Sequence, residues 1–170
     1  LEMTMEFHFM TSNEEKRVTQ LVNKTNQFNV TTKRYSEEEI HRLSTREDWD
    51  IFTVHMADKY GDQGLVAVLI LKYERKRAEI DTFLMSCRVM GRNAENEIVA
   101  RIKGVLKKRG INTVRASYLK TAKNAPVESL FEKLGFTLIA DTETEKRYEA
   151  DISNLPKGTE VFKSVTEELA

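Results

Sequence analysis

Ser86 to Glu95, SCRVMGRNAE, holds the one cysteine of the chain, between an apolar strand-like run and an apolar helix-like run. Two chemistries suit such a stretch. A thiol next to an arginine and a few residues before a helix start has its thiolate favoured, and a thiolate can accept an acyl group and pass it on. A loop of small residues at a helix start also offers amides to an anion, because the first turn's N–H groups have no partner inside the helix. On that reading Arg88, Val89, Gly91, Arg92, Asn93 and Ala94 line a phosphate cradle and Cys87 is its neighbour. The plainer alternative is that a lone cysteine ending an apolar strand is a small buried hydrophobe.

Other chemistry-bearing residues are spread along the chain. Asp81 lies on the strand leading to Cys87, and period-two alternation puts it on the same side as Phe83, Met85 and the thiol, where a carboxylate could serve as base or be a hydrogen-bonded strand residue. NQFNVTTKRY, Asn26 to Tyr35, carries the donors Asn26, Gln27, Asn29 and Arg34, suited to hydroxyls, a carboxylate or a phosphate. Such a segment is equally a surface loop whose amides satisfy its own backbone. In DKYGDQG, Asp58 and Asp62 sit among turn-forming glycines and could orient a substrate at a sheet edge. His8 and His41 show no ligand-type spacing to a Cys, Asp or Glu cluster, and His55 reads as a strand residue. No metal site is therefore expected.

The elements that must position these residues follow from periodicity. Met5, Phe7 and Phe9 alternate with polar neighbours as in a half-buried strand. Ser12 with Glu15 reads as a capping box opening a helix to about Thr25, and Ser36 with Glu39 as a second one. Asp50 to Ala57, Leu65 to Tyr73 and Arg77 to Cys87 are three apolar runs forming an antiparallel meander, the first two joined by the glycine-containing turn. A helix carrying Ile98, Ile102, Val105 and Leu106 stops at Gly110, and Asn112 to Leu119 resumes as a strand. Pro126 opens a helix that ends at Gly135, and Phe136 to Ile152 reads as one or two strands. From Pro156 the chain is polar and is expected to be a tail that docks weakly or frays. The sum is an α/β domain over residues 1–155, a mixed, mostly antiparallel sheet flanked by helices.

Composition excludes several classes. The 170 residues suffice for one core without disulfides or a structural metal. Lys plus Arg and Asp plus Glu are 27 each, so no overall field draws the chain to nucleic acid or an anionic membrane. One cysteine forms no internal disulfide, and the longest apolar run, Leu65 to Leu71, is far too short to span a bilayer. A reduced, soluble, cytoplasmic protein is expected. With Leu at position 1, it reads as a segment of something longer.

The element order resembles the GNAT (Gcn5-related N-acetyltransferase) fold, as do Gly91 to Val99, GRNAENEIV, and Asn124 to Phe136, NAPVESLFEKLGF. In that family the first motif holds a cofactor pyrophosphate, which here would fall on Arg88 to Ala94, with Asn124 in the closing motif. The chain departs from the pattern at Met90, Asn93 and Glu95. A carboxylate at Glu95 would repel a pyrophosphate on the same amides. Phe131 stands where such enzymes often carry a proton-donating tyrosine.

Four strings in order, Lys24 to Ser36, Asp58 to Val68, Glu79 to Arg92 and Lys123 to Phe136, further resemble the C-terminal domain of FkbH-like proteins. That resemblance implies a Cys87 thioester relay that loads a glyceryl unit from a phosphorylated glycerate onto the phosphopantetheine of an acyl carrier protein. It also implies a partner phosphatase-like domain of the same polypeptide, which these residues do not include, and no cofactor required in this domain. Coenzyme A-dependent N-acyl transfer and a non-catalytic carrier-docking module are the alternatives.

Overall fold

The computed structural model describes residues 2–158 and, as backbone, 162–168. Eight strands form one sheet in the order β6, β7, β5, β4, β3, β2, β1, β8. They are β1 (Met3–Phe9), β2 (Trp49–Asp58), β3 (Gly61–Glu74), β4 (Arg77–Met85), β5 (Thr113–Leu119), β6 (Thr137–Asp141), β7 (Glu145–Asp151) and β8 (Phe162–Glu168). Only the β4–β5 and β1–β8 pairs are parallel. The expected mixed, mostly antiparallel sheet is present. Of the tail expected to dock weakly or fray after Pro156, 162–168 adds a strand beside β1.

Helices α1 (Glu15–Lys24) and α2 (Glu37–Ser44) cover one face, and α3 (Ala94–Lys108) with the short α4 (Leu130–Lys133) covers the other. Val18, Leu21, Val22 and Ile40 pack on Ile51, Val68, Ile70 and Leu84. On the opposite face Ile98, Ile102 and Leu106 of α3 and Phe131 of α4 meet Phe83, Met85 and Val114. Burying each such side chain contributes about 1.5–3 kcal/mol, so the two layers hold the sheet between them.

Most boundaries match periodicity, with instructive shifts. The first capping box closes on Thr11 and Glu14, not Ser12 and Glu15, and a 3-10 turn over Ser12–Glu14 precedes α1. Thr11 begins an equally good T-x-x-E pattern one residue earlier. The box at Ser36 and Glu39 forms as expected. β3 starts at Gly61, which leaves Lys59 and Tyr60 as the turn. The helix expected from Pro126 splits into a 3-10 turn, Ala125–Val127, and the four-residue α4. Gly135 takes φ 92°, and a Cβ there would collide with the Asn154 carbonyl, so the chain needs glycine at this corner.

One departure matters for function. β4 and β5 pair only over Arg77–Ile80 and Thr113–Ala116, then diverge. The gap is filled by the segment between α1 and α2. Val30 N–H donates to Phe83 O (3.2 Å), Met85 N–H to Phe28 O (3.1 Å), and Leu119 N–H to Val30 O (2.8 Å). Backbone groups left by the divergence are thus satisfied within the chain, as buried amides and carbonyls require.

Candidate functional site

At the end of β4 the chain turns through a short 3-10 segment, Cys87–Val89, whose first residue is exposed. Cys87 is therefore not a buried hydrophobe. It lines a mainly apolar cleft of about 260 Å³ formed by the end of α1, the following loop and the end of β4. Leu21, Phe28, Met85 and Met90 supply the apolar walls, while Lys24, Asn26, Gln27 and Ser86 supply polar groups. Of the residues expected to carry chemistry, Asn26, Gln27 and Cys87 line this one cleft. Lys24 and Ser86 were missed, since nothing in their spacing marks them apart from adjacency to the others.

The remaining expected substrate binders have other employment. Asn29 is fully buried, its Nδ2 donating to Thr25 O (3.1 Å) and its Oδ1 accepting from Thr32 N–H (2.9 Å). Arg34 donates to the carbonyls of Val22 (2.5 Å) and Thr25 (3.3 Å) and to Asn26 Oδ1, closing the C-terminal end of α1. These side chains build the loop. Asn124, also fully buried, accepts from Tyr118 OH (3.1 Å) and Thr121 N–H (3.0 Å), and donates to Asn29 O (3.0 Å) and Leu119 O (2.8 Å). With all four hydrogen-bonding positions taken, it locks the loop to β5 and is corrected from phosphate ligand to structural tie.

Asp81 is likewise corrected. A β-bulge falls at this residue, between the pairs Ile70–Thr82 and Leu71–Ile80. The extra residue breaks the alternation on which the sequence argument relied. Phe83 and Met85 face α3, whereas the Asp81 carboxylate meets Lys33 Nζ (2.7 Å), Tyr35 OH (2.7 Å) and Thr82 Oγ1 (2.9 Å). Burial, then the Asp81 carboxylate, push the Tyr35 hydroxyl well above its usual range. Asp81 is a ligand of the α1–α2 segment and lines no wall of the cysteine cleft.

The loop before α3 is equally informative. Gly91 and Asn93 both adopt left-handed backbone, φ 78° and 62°. Asn93 is the residue capping α3, yet its side chain caps no helix amide; its Oδ1 accepts from Asn96. Val89 and Ala94 are buried core residues, and the Val89 amide already donates to Ser86 O (3.1 Å). Arg88 sits over Ser86. Arg92 pairs with Asp58 (2.9 Å), fastening this loop to the β2–β3 turn, and Asp58 also accepts from Tyr60 N–H (2.8 Å). Asp62 accepts from Gly64 N–H (2.7 Å). Asp58 and Asp62 thus shape the turn. The first turn of α3 carries Glu95 and the buried Glu97, the latter paired with Arg101 (3.1 Å). Two carboxylates beside these amides disfavour a pyrophosphate. Phe131 is a core ring, packed on Phe136 and Tyr148 with centroids 5.1 and 5.4 Å away.

A second cluster lies at β1 and β2. His8 Nε2 is 3.0 Å from Glu14 Oε1 and 3.1 Å from Oε2, and His55 Nε2 is 2.6 Å from Oε2. Thr53 Oγ1 (2.9 Å) and Thr11 N–H (2.9 Å) also donate to Oε1. Burial alone would raise the Glu14 carboxyl, but hydrogen bonds from His55, Thr11, Thr53 and His8 outweigh it and hold its pKa at about 2. The hydrogen bond to Glu14 raises His55 above its ordinary value. No ligand-type spacing marks His8 in the sequence, and His55 is a hydrogen-bonded strand residue as expected, yet the fold brings both onto Glu14. The cross-strand register Glu6–His55 and His8–Thr53 sets the histidines side by side, and the turn before α1 adds Glu14.

No family model matches the chain, and no curated protein does. Solved structures do match in fold. The ribosomal-protein-S18-alanine N-acetyltransferase of Escherichia coli aligns at 14% identity over 92% of this chain and 97% of its own, with a TM-score of 0.65. The GNAT domain of S. lividans PAT aligns at 18% identity over 85% and 89%, also at 0.65. A spermidine N-acetyltransferase from Vibrio cholerae, solved in complex with CoA and spermine, aligns at 14% identity over 88% and 96%, again at 0.65. The fold is that of the GNAT acetyltransferases.

Proposed function

We propose that this domain is an acyltransferase working on thioesters, with the Cys87 cleft as its reaction site. The observation that carries the reading is an exposed thiol at the mouth of an apolar cleft, next to amide side chains, on a GNAT scaffold. The donor is a glycerate activated as its acyl phosphate. The Cys87 thiolate attacks its carbonyl carbon, a C–S bond forms, and phosphate leaves with the electron pair of the C–O bond. The phosphopantetheine thiolate of an acyl carrier protein then attacks the enzyme thioester and Cys87 leaves as thiolate. Splitting one transfer into two is the advantage of such a relay. Asn26, Gln27 and Lys24 line the cleft, which supports a role for them in holding the hydroxyl and phosphate groups of the donor. The reading is also supported by what the α3 loop lacks. A carrier-borne arm has one phosphodiester at its far end, so Glu95 and Glu97 oppose it less than they oppose a coenzyme A pyrophosphate.

Intact-mass measurement after supplying the donor and the phosphatase-like domain tests the relay. An acyl adduct on the wild type that disappears in Cys87→Ser is expected, and carrier loading undiminished by that substitution would overturn it. The structural likeness to N-acetyltransferases, one with CoA bound, favours a second reading, coenzyme A-dependent N-acyl transfer. Acetyl-coenzyme A titrated calorimetrically separates the two. Binding tighter than about 0.1 mM, a standard free energy near −5.5 kcal/mol, would favour N-acyl transfer.

A further inference from the structure

We propose that His8, Glu14 and His55 form a site for a divalent transition-metal ion, zinc(II) being the ion the donor set fits best. One donor atom from each of the three lies within 4.8 Å of the others. Metal bonds of about 2.0–2.2 Å in tetrahedral geometry separate donors by roughly 3.4 Å. The His8–Glu14 and His55–Glu14 separations of 3.1 and 2.6 Å at Oε2 therefore need to open by less than about an ångström. Two imidazoles and one carboxylate, with no thiolate, suit zinc, cobalt(II) or iron(II), while calcium and magnesium take sets of oxygens.

The surroundings are those of a supported site. Glu14 Oε1 is held by Thr11 and Thr53, which leaves Oε2 turned to the imidazoles. His8 Nδ1 is buried without a hydrogen bond, and Glu6 Oε1 lies 3.2 Å away outside bonding alignment. Glu6 is half exposed, and a small swing would give the carboxylate backing that metal-bound histidines usually have. The ligands stand on β1, β2 and the tight turn before α1, so little ordering is needed on binding. Three protein ligands leave the fourth position of a tetrahedral ion to water or a small ligand, and Glu6 and Asp62, which with His55 line an adjacent cleft, add carboxylates that favour a cation. The site shares no residue with the Cys87 cleft, so the two proposals stand or fall separately.

The test is calorimetric titration of zinc chloride into the chelator-stripped 170-residue chain at pH 7.5, in a Cys87→Ser background so that the thiol does not compete. One equivalent with a Kd of about 1 µM or tighter is expected. His55→Gln and His8→Ala should each weaken binding about 100-fold, while His41→Ala, removing an exposed histidine elsewhere, changes it less than twofold. Cobalt(II) should show the visible bands of a tetrahedral ion. Uptake below about 0.2 equivalents, weakening by less than tenfold in His55→Gln, or loss of binding in His41→Ala would overturn the proposal. Circular dichroism on each variant keeps loss of fold from being read as loss of a ligand.

Discussion

The Cys87 cleft and the His8–Glu14–His55 cluster belong to one sheet and are built in opposite ways. Around the cleft, polar side chains bond mainly to backbone: Asn29, Arg34 and Asn124 all terminate on carbonyls or amides of the α1–α2 loop and β5. Their work is to hold an irregular segment in the gap between β4 and β5, leaving Cys87, Asn26 and Gln27 at its mouth. In the cluster, side chains bond to side chains across a regular antiparallel pair. The first arrangement shapes a concave surface, whereas the second concentrates charge at a point.

The largest effect should come from breaking the cleft's framework. Asn124→Ala leaves the Asn29 and Leu119 carbonyls and the Thr121 amide without their partner, and a destabilisation of about 3 kcal/mol by urea denaturation is expected. In the cluster, Glu14→Ala strips the acceptor shared by two histidines, Thr53 and Thr11. There we expect about 2 kcal/mol, measured with chelator present so that metal makes no contribution. Asp81→Asn keeps the shape but removes the charge facing Lys33 and Tyr35. As Lys33 is nearly half exposed, the loss should be only about 1 kcal/mol. Were Asp81 the catalytic base, its substitution would instead stop acyl transfer with little change in stability.

How much of this was legible in the chain differs between the two regions for a physical reason. The lone thiol, the loop of amides and the strand, turn and helix signals around them are local, so residue type and periodicity marked Cys87, Asn26 and Gln27 one by one, while their meeting in one cleft comes from the fold. The cluster is not local: His8, Glu14 and His55 meet only through the β1–β2 register, which no spacing rule carries. Alternation also failed at Asp81, because a bulge adds one residue and turns the strand over. The α1–α2 loop was readable as polar but not as the filler of a split sheet, since its pairing with Phe83 and Met85 spans more than 50 residues of sequence. The tail's polarity concealed a strand whose backbone pairs beside β1.

The smallest effect is the most diagnostic of the cluster's electrostatics. His55 titrates above its ordinary 6.5 because it donates to Glu14, so its contribution is complete below 6.5 and lost as pH rises through the raised value. Glu14 has the opposite sign. With its carboxyl near 2 instead of the ordinary 4.5, its contribution is complete above 4.5 and lost as pH falls toward 2. The metal-free protein should thus have a plateau between these limits, and the stability difference between wild type and His55→Gln should shrink from pH 6 to pH 8.5. With about a third of the His55 side chain exposed, solvent screening keeps that change under about 1 kcal/mol. Added zinc should reverse the trend. A metal competes with protons for the same nitrogens, so in its presence the wild-type advantage should grow with pH. A difference independent of pH in both conditions would mean that the histidine and the carboxylate are not coupled in the way their 2.6 Å contact requires.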